Sequence, residues 1–309
     1  MKIIFYSKWH LGDLFHFKGY IQDLKKQRPD LEIVYAHNCA PRAMADISDY
    51  VDVDFLPEEM SYDWKKGYID KENNCVYINA HSGNYSRPSG EPHSNWTSLN
   101  QNWSDIHALL AQAGVHVEYH KNRPDLYIPT IDFSFYARLY KTDQFINQTQ
   151  GRKKILLCNG GVRAGQSEVG NLYDPVVRLA LEFPNCIFIV TEKFYPFPEH
   201  IKNIVSTHDL FQLTHDANEI AYLSTFCDAI VGKNSGPYMF THMKDNFFRN
   251  NLTFLTLGNR VTDSYPCHMR WNNGCRYIYS GTNNNDHIVN ILRDIITKPF
   301  SNPGYIEQM

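Results

Sequence analysis

Several classes of protein are excluded by what this sequence lacks. No apolar run approaches the ~20 residues that cross a bilayer, so no transmembrane segment is expected. The N-terminal stretch Met1-Lys2-Ile3-Ile4-Phe5-Tyr6-Ser7 is too short for a secretory signal and reads as a first strand. Charge of one sign is missing too: the formal net charge is −3, which gives no electrostatic pull toward nucleic acid or an anionic membrane. The seven cysteines (39, 75, 158, 186, 227, 267 and 275) form no CxxC pair, and three of them sit inside apolar runs. Reduced, structural cysteine in a cytoplasmic protein is the expectation. The fourteen histidines are scattered, and no metal is expected.

What is present suits a soluble α/β protein. The chain has 309 residues, 43 % of them hydrophobic and 20 % charged, enough for two cores. A strand, Lys2 to Ser7, is followed by a turn from Trp9 to Asp13. A helix from about Leu14 to Gln27 then carries Leu14, Phe17, Ile21 and Leu24 on one face. Further strands are expected at Leu31–Tyr35, Val51–Leu56, Cys75–Ala80 and Val115–Tyr119, with helices at Pro41–Tyr50 and Trp103–Ala113. Residues 81 to 104 break this rhythm and read as a long binding loop.

Gln144 to Lys154 is polar and non-periodic, and it reads as a linker. Beyond it the alternation restarts, with strands at Lys154–Cys158, Cys186–Val190, Ile204–Ser206, Asp228–Val231 and Leu252–Leu257. Helices are expected at Asp174–Glu182, Ala217–Phe226 and Asp286–Thr297. The expected fold is therefore α/β, with two Rossmann-like parallel-sheet domains facing a central cleft. The domains read as 1–145, for the acceptor, and 152–295, for the donor, followed by a tail, 296–309.

Two turns carry chemistry. The apolar run Ala229-Ile230-Val231 ends in Gly232-Lys233-Asn234-Ser235-Gly236-Pro237. A helix starting near Gly236 or Pro237 would turn its first amides toward an anion, with Ser235 as its cap or as a ligand hydroxyl. Near the N-terminus, Gly12-Asp13 brings a carboxylate to the end of the first strand. As an alternative, Asp13 simply caps its own helix.

Together these turns resemble the heptosyltransferase-like glycosyltransferases of family 9, which have the GT-B fold. The resemblance rests on Leu11-Gly12-Asp13-Leu14 with Arg28-Pro29, and on Asn218-Glu219-Ile220-Ala221 followed by Asp228 to Gly232 and Lys233-Asn234-Ser235-Gly236-Pro237. Met239 stands where that family carries a histidine, and Asn234 where it carries an acid. The resemblance implies an inverting, metal-independent transfer of a sugar from a nucleotide-sugar to a glycan or other hydroxyl acceptor, with Asp13 as general base. No cofactor is implied, because the nucleotide-sugar is a co-substrate.

The residues themselves supply the remaining candidates. Arg163 in its Gly-rich loop, Lys193 and Lys233 are the cations for a diphosphate, alongside Gly12, Asn234, Ser235 and Gly236. Glu192 is a candidate for ribose or sugar hydroxyls. His81, Arg87 and Trp96 are candidates for the acceptor, and His10 and His16 flank the Gly-Asp turn as secondary acid-base groups. Asp52-Val53-Asp54 is read as a solvated strand edge. A GT-B-shaped epimerase or pyruvyl transferase, or a protein that binds sugar nucleotides without chemistry, would fit the same pattern.

Overall fold

A computed structural model describes residues 1–7, 11–37, 41–52, 66–81, 95–121, 123–135, 140–161, 170, 172–193, 196–211, 216–233, 235–258, 274–300 and 306–308. Its contacts divide the chain into two compact units, Met1–Phe135 and Tyr136–Met309. Among the described residues no helix is long and apolar enough to cross a membrane.

The first unit contains β1 (Lys2–Ser7), α1 (Leu11–Gln27), β2 (Glu32–His37), β3 (Asp49–Asp52), β4 (Gly67–Asp70), β5 (Cys75–Asn79) and α2 (Asn95–Gln112). Its sheet runs β3-β2-β1-β5-β4, parallel throughout except for the β4–β5 hairpin. The central strand β1 is apolar from Ile3 to Tyr6 and buried over that length, as a strand covered on both faces must be. The expected face of α1 is in the core: Leu14, Phe17, Ile21 and Leu24 are all buried.

Gly19 brings α1 against the short 3₁₀ turn at Pro124–Tyr127. A Cβ there would lie 1.9 Å from the Tyr127 carbonyl oxygen, so only glycine permits the approach. At the preceding residue, the buried ammonium of Lys18 pairs with the equally buried Asp46 side chain at 2.5 Å. The second Asp46 oxygen accepts the Asp132 amide at 3.1 Å.

Three expectations about this unit need correction, and one strand went unread. Residues 41 to 47 are successive turns rather than a helix, with Ile47 N–H donating to Met44 at 2.9 Å, and their Asp46 is drawn to Lys18. The hairpin strand β4 was not foreseen. The long loop ends early, because α2 already begins at Asn95. Val115 to Tyr119 alternates as a strand does but joins no sheet. The Gln27 side-chain amide stands in for a neighbouring strand, accepting from Glu118 N–H at 2.7 Å and donating to its carbonyl at 3.1 Å. Gln22 serves Thr130 in the same way, at 2.9 and 3.1 Å.

The second unit contains α3 (Tyr140–Gln148), β6 (Lys154–Cys158), α4 (Tyr173–Glu182), β7 (Ile187–Val190), β8 (Ile204–Ser206), α5 (Thr207–Leu210), α6 (Ala217–Ser224) and β9 (Ala229–Gly232). It continues with α7 (Gly236–Phe240), α8 (Lys244–Phe247), β10 (Thr253–Leu257), β11 (Arg276–Ser280), α9 (Asn285–Thr297) and β12 (Ile306–Gln308). The sheet is parallel throughout, in the order β12-β11-β10-β9-β6-β7-β8. β6, β7, β9 and β10 are buried at every position. Gln144 to Lys154, read as a linker, runs from the end of α3 into β6. The segment read as a tail carries β12, which pairs with β11.

Candidate functional site

In an open parallel sheet the strand order reverses at one point, and the carboxyl ends of the two strands there leave a crevice for ligands. In the first unit that point lies between β1 and β5, where Tyr6 is registered with Asn79. In the second it lies between β6 and β9, where Cys158 is registered with Gly232. The residues that carry chemistry gather at these two points.

At the first, Asp13 occupies the opening turn of α1, where its negative charge complements the helix dipole. The helix starts at Leu11, so Gly12 and Asp13 are helical and buried, and the expected turn up to Asp13 is shorter than the sequence suggested. The Asp13 side chain is only 9 % exposed, yet its Oδ2 lies 3.9 Å from His81 Nε2. His81 follows β5, and its amide donates to Asn79 Oδ1 at 2.9 Å. Asn79 also touches the Tyr6 hydroxyl, which burial pushes up to about 12 against the pull of that hydrogen bond. One turn along α1, burial depresses the His16 imidazole to about 4, with the Asp13 carboxylate opposing. A buried carboxylate beside a more exposed imidazole can take a proton from a hydroxyl and pass it outward.

Lys66, which the sequence pattern did not single out, joins this cluster from the residue before β4. Its ammonium donates to Asn102 Oδ1 and lies 4.9 Å from the centre of the Phe17 ring. No sequence motif announces this lysine, whose carbonyl accepts the Asn79 amide 13 residues further on, at 2.7 Å. Trp96 falls within α2, but its side chain lies outside the described residues, as do His10 and Arg87. Asp52 ends the edge strand β3, and Val53 and Asp54 lie outside the described residues.

In the second unit a buried asparagine ties two strand ends together. Asn159 Oδ1 accepts the Glu192 amide at 2.9 Å, and its Nδ2 donates to the Glu192 carbonyl at 3.2 Å. The Glu192 side chain lies over Gly160, with Oε1 3.2 Å from where a Cβ would stand. Lys193 is engaged by Asp209 of α5 at 2.7 Å. Asn159 was read only as the start of a Gly-rich loop, because a side-chain clamp between distant strands leaves no local pattern. Arg163, in that loop, lies outside the described residues.

After β9 the chain turns at Lys233, which is 5 % exposed rather than solvated, and burial lowers the pKa of its amine. Asn234 lies outside the described residues. α7 starts at Gly236, as the turn predicts, but Ser235 does not cap it with its side chain. The Ser235 Oγ is buried without a hydrogen-bond partner among the described residues. Gly232 is required here by close packing: a Cβ would meet the Tyr238 ring at 2.2 Å, while the Tyr238 hydroxyl is held by Thr256 at 2.8 Å. Met239 is buried. His242 belongs to the core, with Nδ1 2.9 Å from the Tyr238 carbonyl and its ring stacked 4.5 Å from Phe254.

Among the described residues no group of three or more His, Cys, Asp or Glu is placed to hold a metal ion. No family model and no curated protein matches the sequence. Solved structures do match along nearly the whole chain. The ADP-heptose lipopolysaccharide heptosyltransferase II of E. coli is 12 % identical with a TM-score of 0.55, over 96 % of this chain and 98 % of its own. A family 9 glycosyl transferase from Veillonella parvula is 14 % identical with a TM-score of 0.50, over 96 % and 90 %. The E. coli heptosyltransferase WaaC, solved with ADP, is 10 % identical with a TM-score of 0.50, over 96 % and 99 %. Identities this low carry the architecture alone, and the chain has the GT-B fold of these glycosyltransferases, two parallel-sheet α/β units.

Proposed function

We propose that this protein is a glycosyltransferase that moves a sugar from a nucleotide-sugar to a hydroxyl acceptor, with inversion and without a metal ion. The observation that carries the reading is the gathering of buried polar groups at the reversal point of each sheet. One point holds a carboxylate and an imidazole; the other holds a cation and a hydroxyl without a partner among the described residues.

In this reading Asp13 removes the acceptor's hydroxyl proton, and the oxygen attacks the anomeric carbon. The bond from that carbon to the diphosphate breaks, and the nucleoside diphosphate leaves with the electron pair. Lys233, Ser235 and Gly236 receive the diphosphate, with Arg163 and Asn234 assigned to the same role from the sequence. Gly12 leaves room at the base, and Glu192 takes ribose or sugar hydroxyls. Lys193 contributes once Asp209 releases it. His81, Arg87 and Trp96 are assigned to the acceptor. We place the reaction in the cytoplasm, in keeping with the five described cysteines, all free thiols.

The test is a thermal-shift screen against nucleoside diphosphates and nucleotide-sugars, since a ligand of the folded state raises its stability by mass action. It is followed by nucleotide release from the stabilising donor, with and without chelator. Asp13→Asn should keep the thermal shift and lose release by at least about a hundredfold, the scale of a lost general base. A donor that neither shifts the melting point nor releases nucleotide in any pairing would refute the reading. Unchanged release in Asp13→Asn would remove the base.

A further inference from the structure

The parallel pairing of β6 with β7 runs out at Leu157 and Val190, and one last bond, from the Thr191 amide to the Leu157 carbonyl, closes it at 3.0 Å. Beyond that point the Asn159 side chain takes the place of a strand. A carboxamide presents the same donor and acceptor groups as a peptide unit, and here both are used on one residue. Its Oδ1 accepts the Glu192 amide at 2.9 Å, and its Nδ2 donates to the Glu192 carbonyl at 3.2 Å. The reverse orientation would set the side-chain NH₂ against the Glu192 N–H, so the network fixes which atom is which. The Thr191 hydroxyl donates to the same Oδ1 at 3.4 Å, while the Thr191 carbonyl accepts the hydroxyl of Thr207, the first residue of α5, at 3.4 Å.

Asn159 is buried, whereas the residue it grips is exposed. An exposed glutamate ordinarily moves with its backbone and samples many rotamers. Glu192 starts instead from a backbone held at both of its polar groups. Its side chain crosses Gly160, where a Cβ would stand 3.2 Å from both Cγ and Oε1. We propose that Asn159 is a positioning residue for Glu192, its carboxamide fixing that residue at the strand end so that the carboxylate meets the ribose hydroxyls of the donor nucleotide. The proposal rests on the assignment of Glu192 under the proposed function, and it commits that residue to the ribose rather than to the transferred sugar. Asn159 acts through Glu192: ordering the carboxylate in advance removes that cost from binding.

The test compares ADP, GDP, CDP and UDP with their 2′,3′-dideoxy counterparts by calorimetry. For the nucleotide bound most tightly, wild type should prefer the ribose form by at least about tenfold, the scale of a hydrogen bond to a charged group. Glu192→Gln should lower that preference. Asn159→Leu, which keeps the branched shape without the polar atoms, should bring it within about threefold although Glu192 is still present. A residue that only stabilised the fold would weaken both forms alike and leave their ratio intact.

Should Asn159→Leu fail to fold, Asn159→Ser, which is smaller and cannot bond both Glu192 groups at once, is measured in the same way. A wild type without preference for the ribose form, or a preference unchanged in the Asn159 variant, overturns the proposal and leaves the glycosyltransferase reading standing. Failure of all four nucleoside diphosphates to bind overturns that reading and the proposal with it, so the two failures are separable.

Discussion

Acid should weaken the first unit through one residue, His16, and the size of the effect follows from its surroundings. The imidazole is half-buried on α1 with its Nδ1 shut off from solvent, and burial lowers it from its ordinary 6.5 to about 4, with Asp13 pulling the other way. Between those two values the unfolded chain binds a proton that the folded chain refuses. Stability therefore rises with pH across that window, and it is lost as the pH falls through it. The slope for one proton is about 1.4 kcal/mol per pH unit, so acidification from 6.5 to 4 costs about 3 kcal/mol. Such a loss is a large fraction of the stability of an ordinary domain.

His16→Gln keeps a polar planar side chain but cannot titrate. Urea unfolding followed by circular dichroism, at intervals from pH 7.5 to pH 4, should show wild type losing about 3 kcal/mol more than the variant. Carboxylates titrating in both proteins cancel in that difference. Parallel stability profiles for wild type and His16→Gln would refute the reasoning, because the imidazole would then take up its proton in the folded state as readily as in the unfolded one.

Other perturbations test the packing that positions the site. Asp46→Asn leaves the Lys18 ammonium buried without its counter-charge and should cost about 3–5 kcal/mol in chemical unfolding, whereas Lys18→Met with Asp46→Leu should recover most of the loss. Gly19→Ala forces a methyl into the Tyr127 carbonyl and should lower the melting temperature, by the equivalent of about 1–3 kcal/mol or more, an effect absent at the open Gly161. Gly232→Ala displaces the Tyr238 ring from the end of β9; calorimetry should show weaker nucleoside diphosphate binding, and unchanged affinity would separate that turn from the donor site.

The parts of the fold that could be read in the sequence are those in which local pattern and burial agree. β1, β6 and β9 are apolar runs bounded by turns, and the core of a parallel sheet demands such runs. Leu14, Phe17, Ile21 and Leu24 recur at helical spacing, and α1 buries all four. Legibility failed where a side chain replaced a backbone partner. Val115 to Tyr119 has the alternation of a strand, but the Gln27 amide satisfies Glu118, and nothing at position 27 reveals that pairing. Likewise Pro41 to Tyr50 has helix-forming composition, yet the buried pairing of Asp46 with Lys18 accompanies a chain of turns there.

The site divides along the same physical line. Lys233 and Ser235 follow a strand that ends in glycine, a local signature, while Asp13 stands beside Gly12 in the first turn of α1. Asn159 and Lys66 were not legible, since their importance arises from partners 33 and 36 residues away. A motif names the group at the strand end. The charge and orientation of that group depend on neighbours brought in by the sheet's topology. For Asp13 those neighbours are His16, which burial holds neutral down to about pH 4, and His81, whose Nε2 lies 3.9 Å from the carboxylate.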